Sequence, residues 1–320
     1  EERNFPFAEL RLLASKRSAG KEIAFMGKTY TVEEATYDSF KDIDIALFAG
    51  GSISKDFAPH AVKAGAVVID NSSAFRMDPE VPLVVPEVNP QAILKHKGII
   101  ANPNCSTIIM VMALKPIYEL SRIKRVIVST YQAVSGAGKE GIDELDNQVR
   151  EHSEGREMIA NILPSASAEK HYPIAFNLIP QIDVFCDNLY TKEEMKMINE
   201  TKKIMEDNEM RITATTIRVP VYRSHSESVN IELEQDVDLD VMRAALAKFP
   251  GVTVQDDPAS QEYPMPLYTS EKDDVYVGRL RKDESCDKSY NLWVVGDQIR
   301  KGAALNTLQI AETMIKNGWI

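Results

Sequence analysis

Two short runs, residues 43–49 and 66–70, carry apolar side chains at nearly every position and flank a helix-like stretch at 54–64 that Gly65 closes. Strands of this kind need cover on both faces, and strands alternating with helices are the mark of a parallel sheet. The first hundred residues therefore predict a doubly wound α/β layer. A strand at 9–15 followed by the polar turn Lys16-Arg17-Ser18-Ala19-Gly20-Lys21, a hairpin and a small helix complete its opening.

The texture then changes. Residues 125–134, 213–221, 228–233 and 290–295 read as long strands with one polar face. Half-buried strands suit a mixed or antiparallel sheet with helices on one side and a second subunit on the other. Residues 302–315 return to helical apolar spacing and belong with the first layer. The expected organisation is a discontinuous cofactor domain at 1–104 and 302–320, and an α+β catalytic and dimerisation domain with a mixed sheet at 105–301.

Composition narrows the function. Of 320 residues, 44% are hydrophobic and 27% charged, enough for about two soluble domains with real cores. No apolar window reaches membrane-spanning length and no secretory leader opens the chain, so a cytoplasmic protein with no membrane partner is expected. A net charge of −11 argues against nucleic-acid binding, which draws on clustered Lys and Arg. The three cysteines, at 105, 186 and 286, are too scattered for a disulfide framework or a metal site, and no metal is expected. Cys186 and Cys286 receive no role.

Cys105 stands apart. It lies in Asn102-Pro103-Asn104-Cys105-Ser106-Thr107, ahead of the apolar run 108–114. Proline, then Asn and Ser/Thr, mark a helix start, so the first helical amides are expected to point unpaired at the sulfur and favour the thiolate. The alternative is a small buried apolar side chain.

Several motifs in one order carry a resemblance. They are Leu13-Ala14-Ser15-Lys16-Arg17-Ser18-Ala19-Gly20, the Cys105 motif, Thr130-Tyr131-Gln132-Ala133-Val134-Ser135-Gly136-Ala137-Gly138, His171-Tyr172-Pro173-Ile174-Ala175-Phe176-Asn177, Arg218-Val219-Pro220-Val221 through Ser224-His225-Ser226-Glu227-Ser228, and Asn306-Thr307-Leu308-Gln309-Ile310-Ala311-Glu312. Together they resemble the aspartate-β-semialdehyde dehydrogenases over nearly the whole length. The resemblance implies a Rossmann-type cofactor domain and reductive dephosphorylation of 4-phospho-aspartate to aspartate semialdehyde with NADPH, in lysine, methionine and threonine biosynthesis, by a homodimer or homotetramer. The substrates would be aspartyl phosphate or aspartate semialdehyde with inorganic phosphate. One departure is the G-x-x-G-x-x-G strand and turn with which the family begins. The sequence lacks it, which reads as a chain incomplete at its N-terminus.

The resemblance assigns roles residue by residue. Cys105 is the nucleophile that forms the thioester. His225 is the acid/base, imidazole being suited to proton transfer near neutrality; His60, His96, His152 and His171 have weaker contexts. Gln132 orients the substrate and helps hold the oxyanion. Arg218, seven residues before His225 on one strand-like segment, takes the α-carboxylate as a guanidinium fork. Glu193 takes the ammonium, Lys196 and Arg76 the phosphate, and Asn104 is counted with the substrate contacts. Each has a plain alternative: a surface ion pair for Glu193 and Lys196, a strand-surface arginine for Arg218, a solvated arginine for Arg76. On the cofactor side Ser15, Arg17 and Ser18 follow a strand whose end carries no acid, which favours a 2′-phosphate and hence NADP. Ser135, Gly136, Asn306 and, more weakly, Gln309 approach the nicotinamide end.

Two other readings stay open. One is another phosphorylating aldehyde dehydrogenase, acting on an N-acetylglutamyl phosphate or a glyceraldehyde phosphate. The other is a non-catalytic dimeric scaffold that has lost dinucleotide binding.

Overall fold

The computed structural model describes residues 1–166 and 168–320, which form two compact units. The first comprises Glu1–Pro82, Gln91–Ala101 and Thr307–Ile320. Its early strands are β1 (Leu13–Ala14), β2 (Glu22–Phe25), β3 (Lys28–Thr31) and β4 (Glu33–Glu34), with β2 and β3 in an antiparallel hairpin and β1 parallel to β4. The strand expected at 9–15 is thus only two residues long, and a turn stands where a small helix is expected, around residues 37–42. The two apolar runs are β5 (Ile45–Phe48) and β6 (Val67–Asp70), joined by helix α1 (Ser54–Lys63), and β7 (Ile99–Ala101) completes a parallel sheet of order β5-β6-β7. Ala58 and Ala61 of α1 lie against Ala46, Val68 and Phe40, a core of small side chains that lets helix and sheet approach closely.

The second unit comprises Leu83–Pro90 and Asn102–Asn306. Residues 83–90, placed by the sequence with the cofactor domain, thus group here. Helix α2 (Cys105–Tyr118) runs through its centre, with every residue from Ser106 to Leu114 buried. A helix apolar on all sides is a core helix. The remaining elements are β8 (Ile123–Gln132), α3 (Lys139–Ser153), α4 (Lys192–Ile204), β9 (Arg211–Arg218), β10 (His225–Leu233), α5 (Leu239–Lys248), β11 (Val252–Val254), α6 (Pro266–Thr269), β12 (Val275–Lys282) and β13 (Ser289–Gly296). Six strands form a mixed sheet of order β11-β12-β13-β10-β8-β9, with β8 parallel to β9 and antiparallel to β10.

Alternation is regular from Val126 to Gln132 of β8. Val126, Val128, Thr130 and Gln132 of β8 are buried on the helix side, while Ile127, Ser129 and Tyr131 on the other side are only half-buried. That second face carries Ser228, Asn230, Asn291 and Trp293, with the Tyr131 and Trp293 rings 5.5 Å apart. The last helix, α7 (Leu305–Lys316), starts later than its apolar spacing suggests, because Arg300–Ala304 form a π turn with bonds from Gly302 N to Asp297 O and from Ala304 N to Ile299 O.

Candidate active site

The strand order explains how distant residues meet. Gln132 closes β8, Arg218 closes β9 directly beside it in register, and His225 opens β10 on the other flank, where Ser226 pairs with Tyr131. Arg218 and His225 therefore do not share a strand. Residues 219–224 turn between two strands that both lie against β8, and all three functional side chains reach the helix-covered face, each less than 4% exposed.

Cys105 meets this cluster from the start of α2, its Sγ 3.5 Å from Nε2 of His225. The cap forms as the sequence predicts, with Asn104 Oδ1 accepting from the amides of Ser106 (3.0 Å) and Thr107 (3.2 Å). This corrects the expectation of unpaired amides aimed at the sulfur: the cap itself occupies those two. Asn104 is held in turn, its Nδ2 donating to Glu193 (2.9 Å) and its backbone amide to Glu200 (2.6 Å).

The ring of His225 is fixed from behind by the Ala133 amide, which donates to Nδ1 at 3.1 Å. Burial, and then the Arg218 guanidinium, push its pKa well below the ordinary imidazole value. Ala133 also accepts from Nη1 of Arg218 through its carbonyl at 2.7 Å. The Arg218 Nε is buried and has no partner among the described residues. Burial lowers the pKa of this guanidinium, against the opposing influence of Glu193 and Cys105. A desolvated cation with an unused donor is a ready anion clamp.

Helix α4 supplies the acid. Thr191 and Glu194 form a reciprocal capping box at its start, which fixes the first turn and buries Glu193. Burial raises the Glu193 carboxyl, but Lys196, the Asn104 amide and Arg218 outweigh it and hold the group ionised. Its Oε2 accepts from Lys196 Nζ at 3.1 Å, and Gln132 Nε2 lies 3.4 Å from Oε1. Gly136 lies over this group, where a Cβ would sit 2.7 Å from Arg218 Nη1 and 3.4 Å from His225 Nε2.

Residues 1–96 match the family model for the semialdehyde dehydrogenase NAD binding domain, and residues 114–301 the model for the dimerisation domain. An aspartate-semialdehyde dehydrogenase of Aquifex aeolicus is 56% identical, covering all of this chain and 94% of its own length; that of Bacillus subtilis is 54% identical, covering 99% and 92%. The crystal structure of aspartate semialdehyde dehydrogenase II from Vibrio cholerae, complexed with ASA, superposes with a TM-score of 0.92 at 46% identity, covering 99% of this chain and 92% of that one. The chain belongs to the aspartate-semialdehyde dehydrogenase family.

The other expected residues divide between the units. In the first, Ser15, Arg17 and Ser18 form a turn after β1, with the Ser18 and Ala19 amides closing on the Ser15 carbonyl. A cation, two hydroxyls and no acid make a donor set that fits a nucleotide phosphate. Arg76 is nearly buried and donates to the Asn71 carbonyl at 2.9 Å, and Gln309 lies on α7. In the second unit Lys196 also pairs with Asp183 (3.0 Å), and both acids raise its pKa against the effect of burial. The Ser135 hydroxyl accepts from Gln298 Nε2. The Asn306 amide is committed within the protein, donating to Val84 O (3.0 Å) and Asn102 Oδ1 (2.7 Å) and accepting from Lys301 (3.0 Å). In this aspartate-semialdehyde dehydrogenase fold Asn306 therefore braces the segment, and the closeness of Gly136 to Arg218 gives that glycine a reason apart from any cofactor.

Glu200, Gln298 and the Ala133 peptide also hold the site together, though no motif marks them. Glu200 was within reach, since it falls seven residues after Glu193 on the buried stripe of α4 with Met197 and Ile204. The Ala133 peptide carried no signal, because a backbone group has none.

Proposed function

We propose that the chain catalyses the reversible, phosphate-dependent interconversion of aspartyl phosphate and aspartate semialdehyde through a thioester on Cys105. The observation that carries this reading is the convergence of two strand ends and two helix starts, which brings the Cys105–His225 pair together with a buried guanidinium and a buried carboxylate. An amino-acid substrate has an α-carboxylate for the unused Nε of Arg218 and an ammonium for Glu193. A glyceraldehyde phosphate offers neither group, and an N-acetylated amino acid keeps the carboxylate but has no ammonium for Glu193, which disfavours those alternatives.

In the catalytic direction Cys105 Sγ adds to the acyl carbon, Gln132 and His225 Nε2 face the developing oxyanion, and phosphate departs to leave the thioester. A bound nicotinamide dinucleotide supplies the hydride that takes the thioester to the aldehyde level. The Ser15, Arg17 and Ser18 turn favours NADP over NAD. Lys196 and Arg76 are the proposed phosphate contacts. We place the boundary of the cofactor and catalytic domains near Asn102 and Asn306, and the half-buried face of the large sheet at the contact between two copies in a homodimer.

The test is phosphate-dependent NADP reduction with aspartate semialdehyde. Arg218→Leu is expected to lower kcat/KM by about 10³-fold while iodoacetamide still alkylates Cys105. Wild-type kinetics in this variant would remove the substrate assignment.

A further inference from the structure

The thioester route leaves one deeply buried cation unused. Lys301 is 1% exposed, and its Nζ meets Glu87 Oε2 at 2.5 Å and Asn306 Oδ1 at 3.0 Å. Taking an ammonium out of water is costly, and apolar side chains of the same volume commonly hold a core as well as an ion pair does. What such a pair adds is direction, because a charge-assisted bond fixes one atom at one place. The segment that Lys301 directs is the π turn Arg300–Ala304.

That turn presses on the nucleophile. A Cβ on Gly302, the next residue, would sit 3.0 Å from the Cβ of Cys105 and 3.3 Å from its Cα. No side chain fits between the turn and the first residue of α2, so the place of Gly302 sets the place of the sulfur. A π turn is wider than an α turn, and relaxing it to ordinary helix would rotate Gly302 off this spot. Such a turn lasts only where its neighbours hold it.

Here it is held at three points. Before the turn, the buried Asp297 carboxylate accepts from the Glu271 (2.6 Å), Ile299 (2.9 Å) and Arg300 (3.2 Å) amides. Within it, Lys301 runs to Glu87, which stands on a loop locked by Asn89. The Asn89 side chain accepts from the Val85 amide and donates to the Leu83 carbonyl, both at 2.9 Å. After the turn, Asn306 ties Lys301 to Asn102, three residues before the sulfur. We propose that Lys301 is a positioning residue for the reaction, its pair with Glu87 fixing the π turn and so the seat of Cys105. The substrate clamps are held by other groups, Arg218 by Ala133 and Glu193 by Asn104 and Lys196.

This inference rests on Cys105 as the nucleophile, and its test separates the two. Lys301→Met with Glu87→Gln removes both charges and keeps the side-chain lengths. The double variant is expected to hold the wild-type thermal midpoint to within about 3 °C. Its KM for aspartate semialdehyde is expected within about twofold of wild type, and its kcat about 30-fold lower. In the free protein, iodoacetamide is expected to alkylate its Cys105 about tenfold more slowly at pH 7. Either single substitution is expected to cost about as much kcat as both together, since the pair acts as one unit. Wild-type kcat and alkylation in the double variant would overturn the proposal, and so would a loss of kcat matched by a rise in KM and a falling midpoint, the mark of general loosening. Gly302→Ala keeps the pair and pushes on Cys105 itself, so it is expected to slow alkylation by a similar factor. An unchanged rate there overturns the proposal even if the double variant does not fold. Turnover that survives full alkylation of wild-type Cys105 would sink the thioester reading, while the alkylation rates would still decide whether Lys301 seats the sulfur.

Discussion

Gly136 shows how little slack the cluster has. The Arg218 guanidinium cannot swing aside to admit a methyl group, because Ala133 holds its Nη1 and the chain buries the rest. Gly136→Ala is therefore expected to lower kcat/KM by about 10²-fold with an unchanged thermal midpoint, since a displacement of about 1 Å at a clamp is costly in rate but not in fold. Loss of stability in step with activity would contradict this account. At this scale Cys105 was the most legible residue, because proline, a capping Asn and an apolar run advertise a helix start locally. Arg218 and His225 were not legible from spacing. Seven residues apart on one presumed strand they fall on opposite faces, and only the turn at 219–224 and the pairing of both strands with β8 bring them together.

Among elements, α4 depends on its first turn. Thr191→Ala breaks the capping box and is expected to destabilise the protein by about 1 kcal/mol, and to raise KM because Glu193 loses its fixed place; urea unfolding and steady-state kinetics read the two effects. The ties between α2, β8 and β9 centre on Asp207, which accepts from Tyr118 (2.9 Å), bidentately from Arg122 (2.9 and 2.9 Å), and from the Glu209 and Met210 amides. The Arg122 guanidinium leads in pulling its carboxyl down to about 2. A carboxyl lowered in the folded state adds stability that is full above its unfolded pKa near 4 and fades as pH falls through the folded value. Asp207→Asn is expected to cost about 2 kcal/mol at pH 7, a difference that persists to about pH 4 and shrinks below it. A pH-independent difference in urea unfolding would show that the charge is not the cause. The sequence made the buried strands and α2 readable through periodicity and caps. It did not reveal the irregular stretch after α3, whose amides at Asn161, Ile162, Leu163, Ile174 and Ala175 are held by Glu144 and Gln148, because side-chain support of a loop leaves no period.

For the whole molecule, the half-buried sheet face is where a second copy is proposed to sit. Ser228 is exposed at its middle, so Ser228→Arg is expected to shift sedimentation from dimer to monomer while far-ultraviolet circular dichroism stays native. A dimer that survives this change would move the contact elsewhere. That the catalytic anchors lie on three neighbouring strand ends has a temporal side as well. Cys105 and His225 are 120 positions apart in the chain, and the ring reaches the sulfur only after β9, β8 and β10 have zipped in register. Long-range pairings of this kind form slowly. A nascent chain accordingly carries an unremarkable sulfhydryl for most of its assembly, and the reactive one matures late, as a by-product of finished registry.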